Sequence, residues 1–182
     1  MAGILAAFGL AAATGLNAYL PLLIVGLLAR YSTLISLKAP WNALANPVVL
    51  VVIALLLAIE MTVDKIPAVD TVNDVIQTLV RPVAGAILFA ASGNVISHLS
   101  PVLAMICGLL IAGGVHAAKA AARPAVTAGT LGVGNPVVSL AEDVVSGVTT
   151  FVAVIAPVLL AALAILVVAW IIRRRRKRRT RR

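Results

Sequence analysis

Two carboxylates, Glu60 and Asp64, stand at the end of a long apolar run that reads LLLAIEMTVDK from Leu55 onward. They are four residues apart and therefore share one face of a helix. In an apolar medium an ionised carboxylate normally faces a partner or a water-filled cavity. The pair therefore predicts either a functional site built on charged groups or a position at the edge of an apolar layer. The residues leave both interpretations open.

A basic stripe supplies candidate partners for these acids. His116, Lys119 and Arg123, in the stretch GGVHAAKAAARP, follow each other at i, i+3 and i+7 and so lie on one face of a helix. A network between the acids and this stripe would balance the charge and would suit gating or proton coupling. The predicted transport or charge network consists of Glu60, Asp64, His116, Lys119, Arg123, Glu142 and Asp143.

Polar residues inside apolar segments define a candidate pathway for a solute. Thr14 and Asn17 fall in the middle of the first apolar segment, and Asn94 and Asn135 end two similar stretches, RPVAGAILFAASGN and RPAVTAGTLGVGN. Both stretches are later followed by Pro-Val-Leu, which predicts a weak internal repeat. Short, glycine-interrupted segments at corresponding places in two halves point to the binding region of a transporter, because broken helices expose backbone groups to a ligand.

The motifs of an enzyme or a metal protein are missing from the sequence. A single cysteine, Cys107, excludes an internal disulfide and a cysteine-based metal site. His98 and His116 lack the i, i+4 partner of a helical zinc site, and no serine stands in a recognisable nucleophile motif. We therefore expect no enzymatic activity, no catalytic residue, no metal and no cofactor.

The composition indicates whether these residues lie in water or in a membrane. Hydrophobic residues make up 62% of the chain of 182 residues, charged residues make up 12%, and the mean hydropathy is +1.12. Such values are typical of membrane proteins. A helix needs about 20 apolar residues to cross a hydrocarbon layer of roughly 30 Å. Charge-free stretches of about that length or longer cover residues 2–29, 39–59, 82–118, 124–141 and 144–172.

The net charge lies entirely at the C-terminus. The formal charge is +9, but residues 1–172 hold six basic and six acidic residues, which cancel. We expect a transmembrane helical domain, residues 1–172, and a basic cytoplasmic tail, residues 173–182. No aromatic residue interrupts the tail, so it predicts binding to anionic lipid headgroups rather than to nucleic acid. The lipid-binding residues are Arg173, Arg174, Arg175, Arg176, Lys177, Arg178 and Arg179.

The fold class that follows is an all-α, polytopic transmembrane helix bundle in the cell membrane. Counting back from a cytoplasmic tail gives about five spans plus a re-entrant segment at residues 124–141, with the N-terminus outside. The alternative is six spans, with residues 124–141 crossing fully. Residues 70–81 place apolar side chains on one face of a helix and polar side chains on the other, which predicts an amphipathic helix at the membrane interface. On its polar face Arg81 would compensate the charges of Asp70 and Asp74.

Five motifs resemble those of a bacterial family of small polytopic membrane proteins classed as a domain of unknown function. They are GLAAATGLNAYLPLL, EMTVDKIPAVD, VRPVAGA, HAAKAAARP and NPVVSLAEDVVS. The resemblance covers most of residues 3–170, excludes the basic tail, and implies an integral membrane protein without an assigned activity.

The sequence leaves two classes of function open. The first is a transporter or channel-like permease for a small ion or polar solute, which explains the internal acids and the glycine-broken segments. The second is a non-transporting membrane scaffold or lipid-binding assembly protein whose polar residues hold helices together. A hydrated cavity that reaches Glu60 would favour the first, and a closed bundle with paired acids would favour the second. A homo-oligomer is compatible with either.

Overall fold

The structure, a computed structural model, describes residues 2–63, 67–92 and 100–157, followed by residues 159, 162–163, 165–168, 170 and 173. Of residues 2, 67–72 and 74 it describes the backbone alone. The elements of the described residues are all helices, with no strand, which confirms the predicted all-α class. The elements are α1 (Ala2–Leu16), α2 (Tyr19–Tyr31), a 3₁₀ helix (Trp41–Ala45), α3 (Pro47–Val63), α4 (Pro67–Ala91), α5 (Pro101–Thr130) and α6 (Asn135–Ile155).

Proline and serine residues set where several helices begin. Pro47, Pro67 and Pro101 each open a helix, at a position where the missing N–H has no intrahelical acceptor. At the start of α5 the Ser100 side chain accepts a hydrogen bond of 3.2 Å from the Leu103 N–H and caps the first turn.

The first apolar segment is not a single helix, because α1 and α2 fold back on each other at residues 17–18. Gly3 and Leu10 of α1 line the same cavity as Val25 of α2 and Leu37, which follows α2. The start of α1 and the end of α2 therefore lie at one end of the bundle, and residues 17–18 form the tip of a helical hairpin. The prediction that residues 2–29 form one continuous span is wrong.

α4 and α5 pack antiparallel, and glycine residues let their backbones touch. A Cβ atom on Gly85 would lie 2.8 Å from the Gly108 carbonyl oxygen, and one on Gly108 would collide with the Gly85 carbonyl oxygen. α1 joins the same crossing, since a Cβ atom on Gly15 would lie 2.6 Å from the Ala112 carbonyl oxygen. Small residues allow this close approach of helices. The crossing fixes the distance between the polar side chains further along α4 and α5.

α4 buries its polar face and exposes its apolar face, which is the reverse of what an amphipathic helix does in water. Gln77 and Arg81 are only 2% and 0% exposed, whereas Val75 and Leu79 are 69% and 74% exposed. The helix also runs without a break from Pro67 to Ala91. The prediction of a separate interfacial helix is therefore wrong over residues 75–81: periodicity identifies the two stripes, but the surrounding medium decides which of them faces inward.

A tight turn replaces the re-entrant segment predicted at residues 124–141. α5 continues through Pro124 to Thr130, and Leu131 and Gly132 then adopt left-handed backbone conformations with φ of 53° and 85°. The chain enters α6 directly after this turn. The prediction for residues 124–141 is wrong because a proline removes one hydrogen bond from a long apolar helix without having to end it.

The last predicted stretch, residues 144–172, also divides differently. α6 begins at Asn135 and ends at Ile155, and the backbone leaves the helical conformation at Ala156. The described residues beyond Ala156 are helical again. α6 therefore ends inside the region for which the sequence predicts one span.

The Arg-Pro pairs of the predicted repeat both lie inside continuous helices, at Pro82 of α4 and Pro124 of α5. The elements that follow them differ. α5 opens at Pro101 as the next described helix after the first pair, whereas the whole of α6 separates the second pair from Pro157. The two stretches therefore do not correspond at the level of elements.

Apolar side chains cover much of the outer surface of the described bundle. Val51 on α3, Leu110 on α5 and Phe151 on α6 are among the exposed large hydrophobic residues. α5 and α6 are long and apolar enough to cross a membrane, and residues 3–16, 19–31, 47–63 and 75–91 form shorter apolar helices. These features are typical of a membrane-associated protein.

Candidate functional site

Seven ionisable side chains from four helices collect inside the bundle, close to the tip of the α1–α2 hairpin. Six of them are buried, and the side chain of Glu142 is 17% exposed. Charges at such positions are stable only when they are paired and hydrogen-bonded. The charge cluster consists of Glu60 on α3, Arg81 on α4, His116, Lys119 and Arg123 on α5, and Glu142 and Asp143 on α6.

One half of the charge cluster joins α3, α4 and α5. Arg81 Nη2 donates a hydrogen bond of 3.1 Å to Glu60 Oε1, in an ion pair whose side chains are 0% and 1% exposed. Arg81 Nη1 lies 3.0 Å from His116 Nδ1, and His116 Nε2 lies 3.1 Å from Thr78 Oγ1. Arg81 therefore bridges a carboxylate on one neighbouring helix and an imidazole on another.

These hydrogen bonds define the tautomer of His116. A guanidinium has five N–H donors and no acceptor, and it stays charged in proteins. The contact of 3.0 Å therefore requires a lone pair on His116 Nδ1. The ring proton then sits on Nε2, which donates to Thr78 Oγ1 at 3.1 Å. In this arrangement His116 is neutral, and the three acids and three bases of the charge cluster balance.

The other half of the charge cluster joins α5, α6 and the end of α1. Lys119 Nζ and Arg123 Nη2 lie 2.8 Å and 3.3 Å from Glu142 Oε2. Lys119 Nζ also donates a hydrogen bond of 3.3 Å to the Leu16 carbonyl oxygen, in the last turn of α1. A cation is favourable at this place because the carbonyl groups at the end of a helix carry partial negative charge.

Asn17 explains why the first segment breaks where it does. Its Oδ1 atom accepts hydrogen bonds of 3.1 Å and 2.9 Å from the Tyr19 and Leu20 N–H groups and so caps the start of α2. Its Nδ2 atom donates a hydrogen bond of 2.8 Å to Asp143 Oδ1 on α6. One side chain therefore satisfies the broken backbone and ties the hairpin tip to the charge cluster.

A polar stripe on α6 leads along the interior to the charge cluster. Ser146 donates a hydrogen bond of 2.9 Å to the Ala13 carbonyl oxygen, and Thr14 lies buried nearby on α1. Within the described part of the chain Ser139 Oγ is buried with no hydrogen-bond partner. The stripe consists of Asn135, Ser139, Asp143, Ser146 and Thr150, all buried and spaced to lie on one face of the helix.

The structure brings together most of the described residues of the predicted charge network and polar pathway. Asn135 is buried at the far end of the polar stripe and bonds Thr127 rather than the charge cluster. The buried residues among those predicted are Thr14, Asn17, Glu60, His116, Lys119, Arg123, Asn135 and Asp143. Arg173 is described as helical. Outside the described residues or side chains lie Asp64, Asp70, Asp74, Asn94, Arg174, Arg175, Arg176, Lys177, Arg178 and Arg179.

The predicted pairing of the cluster needs two corrections. Glu60 pairs with Arg81 of α4, and the basic stripe of α5 reaches Glu60 only through the Arg81–His116 contact. Lys119 and Arg123 pair with Glu142 instead. Arg81 was missed as a site residue because the α4 stripe was interpreted as facing water. The signal that could have found it is the shared Arg-Pro dipeptide of Arg81 and Arg123, since both arginines are buried beside a glutamate.

A cavity of about 410 Å³ lies at the opposite end of the bundle from the hairpin tip. Apolar residues such as Leu10, Val25 and Leu88 form most of its wall, together with the chain segment 34–37. No residue of the charge cluster lines it. Within the described residues, three or more His, Cys, Asp or Glu side chains nowhere group in a way that could hold a metal ion.

The fold and the site define a helical bundle with an apolar exterior and a buried, charge-balanced polar centre. The chain belongs to the family described as Domain of unknown function (DUF4126), whose family model matches residues 4–177. The match confirms the predicted membership of a domain-of-unknown-function family, and the matched residues include every residue of the charge cluster. No curated protein and no solved structure matches the chain.

Proposed function

We propose that this protein is a multi-pass integral membrane protein that moves a small ion or polar solute across the bilayer. The apolar outer surface and the buried charges support a lipid environment, because lipid favours apolar side chains outside and leaves polar groups to pair within the bundle. The observation that carries the proposal is the meeting of a broken helix with the charge cluster, at Asn17 and Leu16.

Broken helices at the centre of a bundle are a recurring feature of transporters. Their ends expose backbone N–H and C=O groups, which can hold an ion or a polar solute near the middle of the membrane. α1 and α2 contain 15 and 13 residues; the start of α1 and the end of α2 lie at one end of the bundle, and the break between them lies at the charge cluster. We infer that the hairpin enters the membrane and returns, with its tip at the charge cluster.

In the proposed topology α3, α4, α5 and α6 each cross the bilayer. The apolar residues 157–172 cross once more, and the basic tail lies in the cytoplasm against anionic lipid headgroups. This arrangement places Arg30 and Lys38 outside. Basic residues favour the cytoplasmic side, and the nine basic residues of the tail outnumber these two. The turn at residues 131–134 then faces the cytoplasm, on the side to which the polar stripe leads.

A flux screen in reconstituted vesicles tests the proposal. Wild-type protein should move at least one of a panel of monovalent cations, divalent cations, anions and protons. Glu60→Gln keeps the shape of the side chain but removes its charge, so we expect flux to be abolished while the protein still folds. The matched control is Lys38→Gln, which removes an exposed charge away from the charge cluster and should leave flux unchanged.

A second candidate function, a membrane scaffold, is favoured by two observations. Glu60 and Glu142 have partners in the charge cluster, Asp143 accepts a hydrogen bond from Asn17, and the cavity of about 410 Å³ does not reach these acids. The flux screen separates the two functions. Absence of wild-type flux across the whole panel would reject transport in favour of the scaffold. A lowered unfolding temperature of Glu60→Gln is expected with either function, because the substitution leaves Arg81 buried without its carboxylate.

A further inference from the structure

His116 is surrounded by ionisable groups on several neighbouring helices. α1 contributes none, since residues 2–16 contain no titratable side chain. The described groups around the site are Glu60 on α3, Arg81 on α4, Lys119 and Arg123 on α5, Glu142 and Asp143 on α6, and Tyr19 on α2. Of these, Arg81 contacts the His116 ring directly, at 3.0 Å, and Thr78 holds the opposite nitrogen.

A proton bound by His116 has one atom to occupy. Nε2 already carries hydrogen in the tautomer that the contacts require, so the available lone pair is that of Nδ1. The new N–H bond would use this lone pair, and Arg81 Nη1 would lose its acceptor. Two cations would then face each other beside one carboxylate, Glu60, and like charges at this distance disfavour each other. His116 and Arg81 would therefore have to separate.

We propose that His116 Nδ1 is the proton-binding site of the charge cluster and that the proton is the ion coupled to transport, which rests on the proposed function. Binding of one proton breaks the Arg81–His116 hydrogen bond and makes the two cations compete for Glu60. Because the three side chains belong to α5, α4 and α3, the competition changes how these helices are held together. The neutral state is the closed arrangement in which Arg81 bridges both partners.

The protonation state of His116 can be observed without any assumption about transport. The chain has two histidines, so His98→Gln leaves His116 as the single histidine of the full-length protein. Nitrogen NMR of this variant, labelled with ¹⁵N-histidine in lipid nanodiscs, distinguishes the two neutral tautomers from the imidazolium. A second test variant is Thr78→Val in the same background, which keeps the shape of the side chain and removes the acceptor of the Nε2 proton.

At pH 7.5 we expect the neutral tautomer protonated at Nε2, and acidification should convert it to the imidazolium in one transition. The side-chain resonance of Arg81, assigned with Arg81→Lys, should shift over the same pH range. Thr78→Val should raise the fraction of the Nδ1-protonated tautomer. An imidazolium or an Nδ1-protonated tautomer at pH 7.5 would overturn the proposal, and so would a neutral ring that persists until the protein unfolds.

Proton uptake tests the coupling separately. Full-length protein is reconstituted in phosphatidylcholine–phosphatidylglycerol vesicles that contain a pH-sensitive dye, and an inward proton gradient is applied. We expect His116→Gln to abolish the uptake seen with wild-type protein. Uptake that survives in His116→Gln would exclude His116 as the coupling site. Absence of uptake by wild-type protein, with the NMR transition as expected, would reject proton transport while leaving the proton-binding site in place.

Discussion

Arg81 has no exposed surface, and its guanidinium joins Glu60 to His116. A buried ion pair contributes little net stability when it is intact, because both charges have lost their hydration. Removing one partner destabilises the protein, because the remaining charge is still buried but is no longer attracted to an opposite charge. The stability of the bundle should therefore respond to single substitutions in this pair far more than to removal of both charges.

Arg81→Met tests this asymmetry. The substitution keeps much of the side-chain volume and leaves the Glu60 carboxylate buried without its cation, so we expect a loss of about 3–5 kcal/mol in the free energy of unfolding. The measurement is reversible unfolding in lipid nanodiscs. The double variant Glu60→Gln/Arg81→Met should recover part of the loss. The control Arg30→Met removes an exposed arginine and should cost no more than about 1 kcal/mol.

At the scale of elements, the glycine crossing of α1, α4 and α5 determines which polar side chains meet. Gly85 and Gly108 bring the α4 and α5 backbones into contact, and Arg81 and His116 lie on the continuation of that pair. Apolar helices gain little from one another in lipid, so close packing of small residues is a main source of their association. The crossing therefore fixes the positions of Arg81 on α4 and His116 on α5 within the charge cluster.

Two glycines of α5 provide a matched pair of variants. Gly108→Ala places a Cβ atom against the Gly85 backbone and should destabilise the protein by about 1–3 kcal/mol, as overpacking does. Gly114→Ala meets nothing within 4 Å and should stabilise the helix by about 0.5–1 kcal/mol. Thermal unfolding of both variants in the same detergent gives the comparison. Equal effects of the two substitutions would contradict the crossing.

At the scale of the whole molecule, the hairpin changes the topology that the sequence predicts. α1 begins and α2 ends at the same end of the bundle, so Gly3 lies on the same side as Leu34. α5 has 30 residues and is about 45 Å long, which carries the chain to the turn at Leu131 on the other side. α6 then returns, and residues 157–172 are proposed to cross back.

Thiol labelling of single-cysteine variants in a Cys107→Ser background measures this topology. We expect Leu34→Cys and Leu131→Cys to react from opposite sides of the membrane, because they lie at opposite ends of the bundle. Thr180→Cys should react from the same side as Leu131→Cys if residues 157–172 cross. Labelling of Thr180→Cys together with Leu34→Cys would show instead that residues 157–172 do not cross.

The sequence by itself determined the helical class and the composition of the polar centre. Stretches without charge and with helical spacing predict helices in any medium, and they predicted the buried stripe of His116, Lys119 and Arg123 on α5. Glu60 and Asn17 were also identified from sequence, because a polar residue within an apolar run needs a partner. These inferences depend only on the spacing of residues that are close to each other in sequence.

The tertiary structure alone decided which charges pair and where the chain turns. Arg81 and Glu60 are 21 residues apart, and their contact depends on how α3 and α4 pack. The hydrogen bond that ties the hairpin tip to α6 joins Asn17 to Asp143, which is 126 residues away. The continuation of α4 and α5 through proline, and the inward direction of the α4 polar stripe, depend on neighbouring helices and on the medium. Such contacts join residues that are distant in sequence, so no local pattern could specify them.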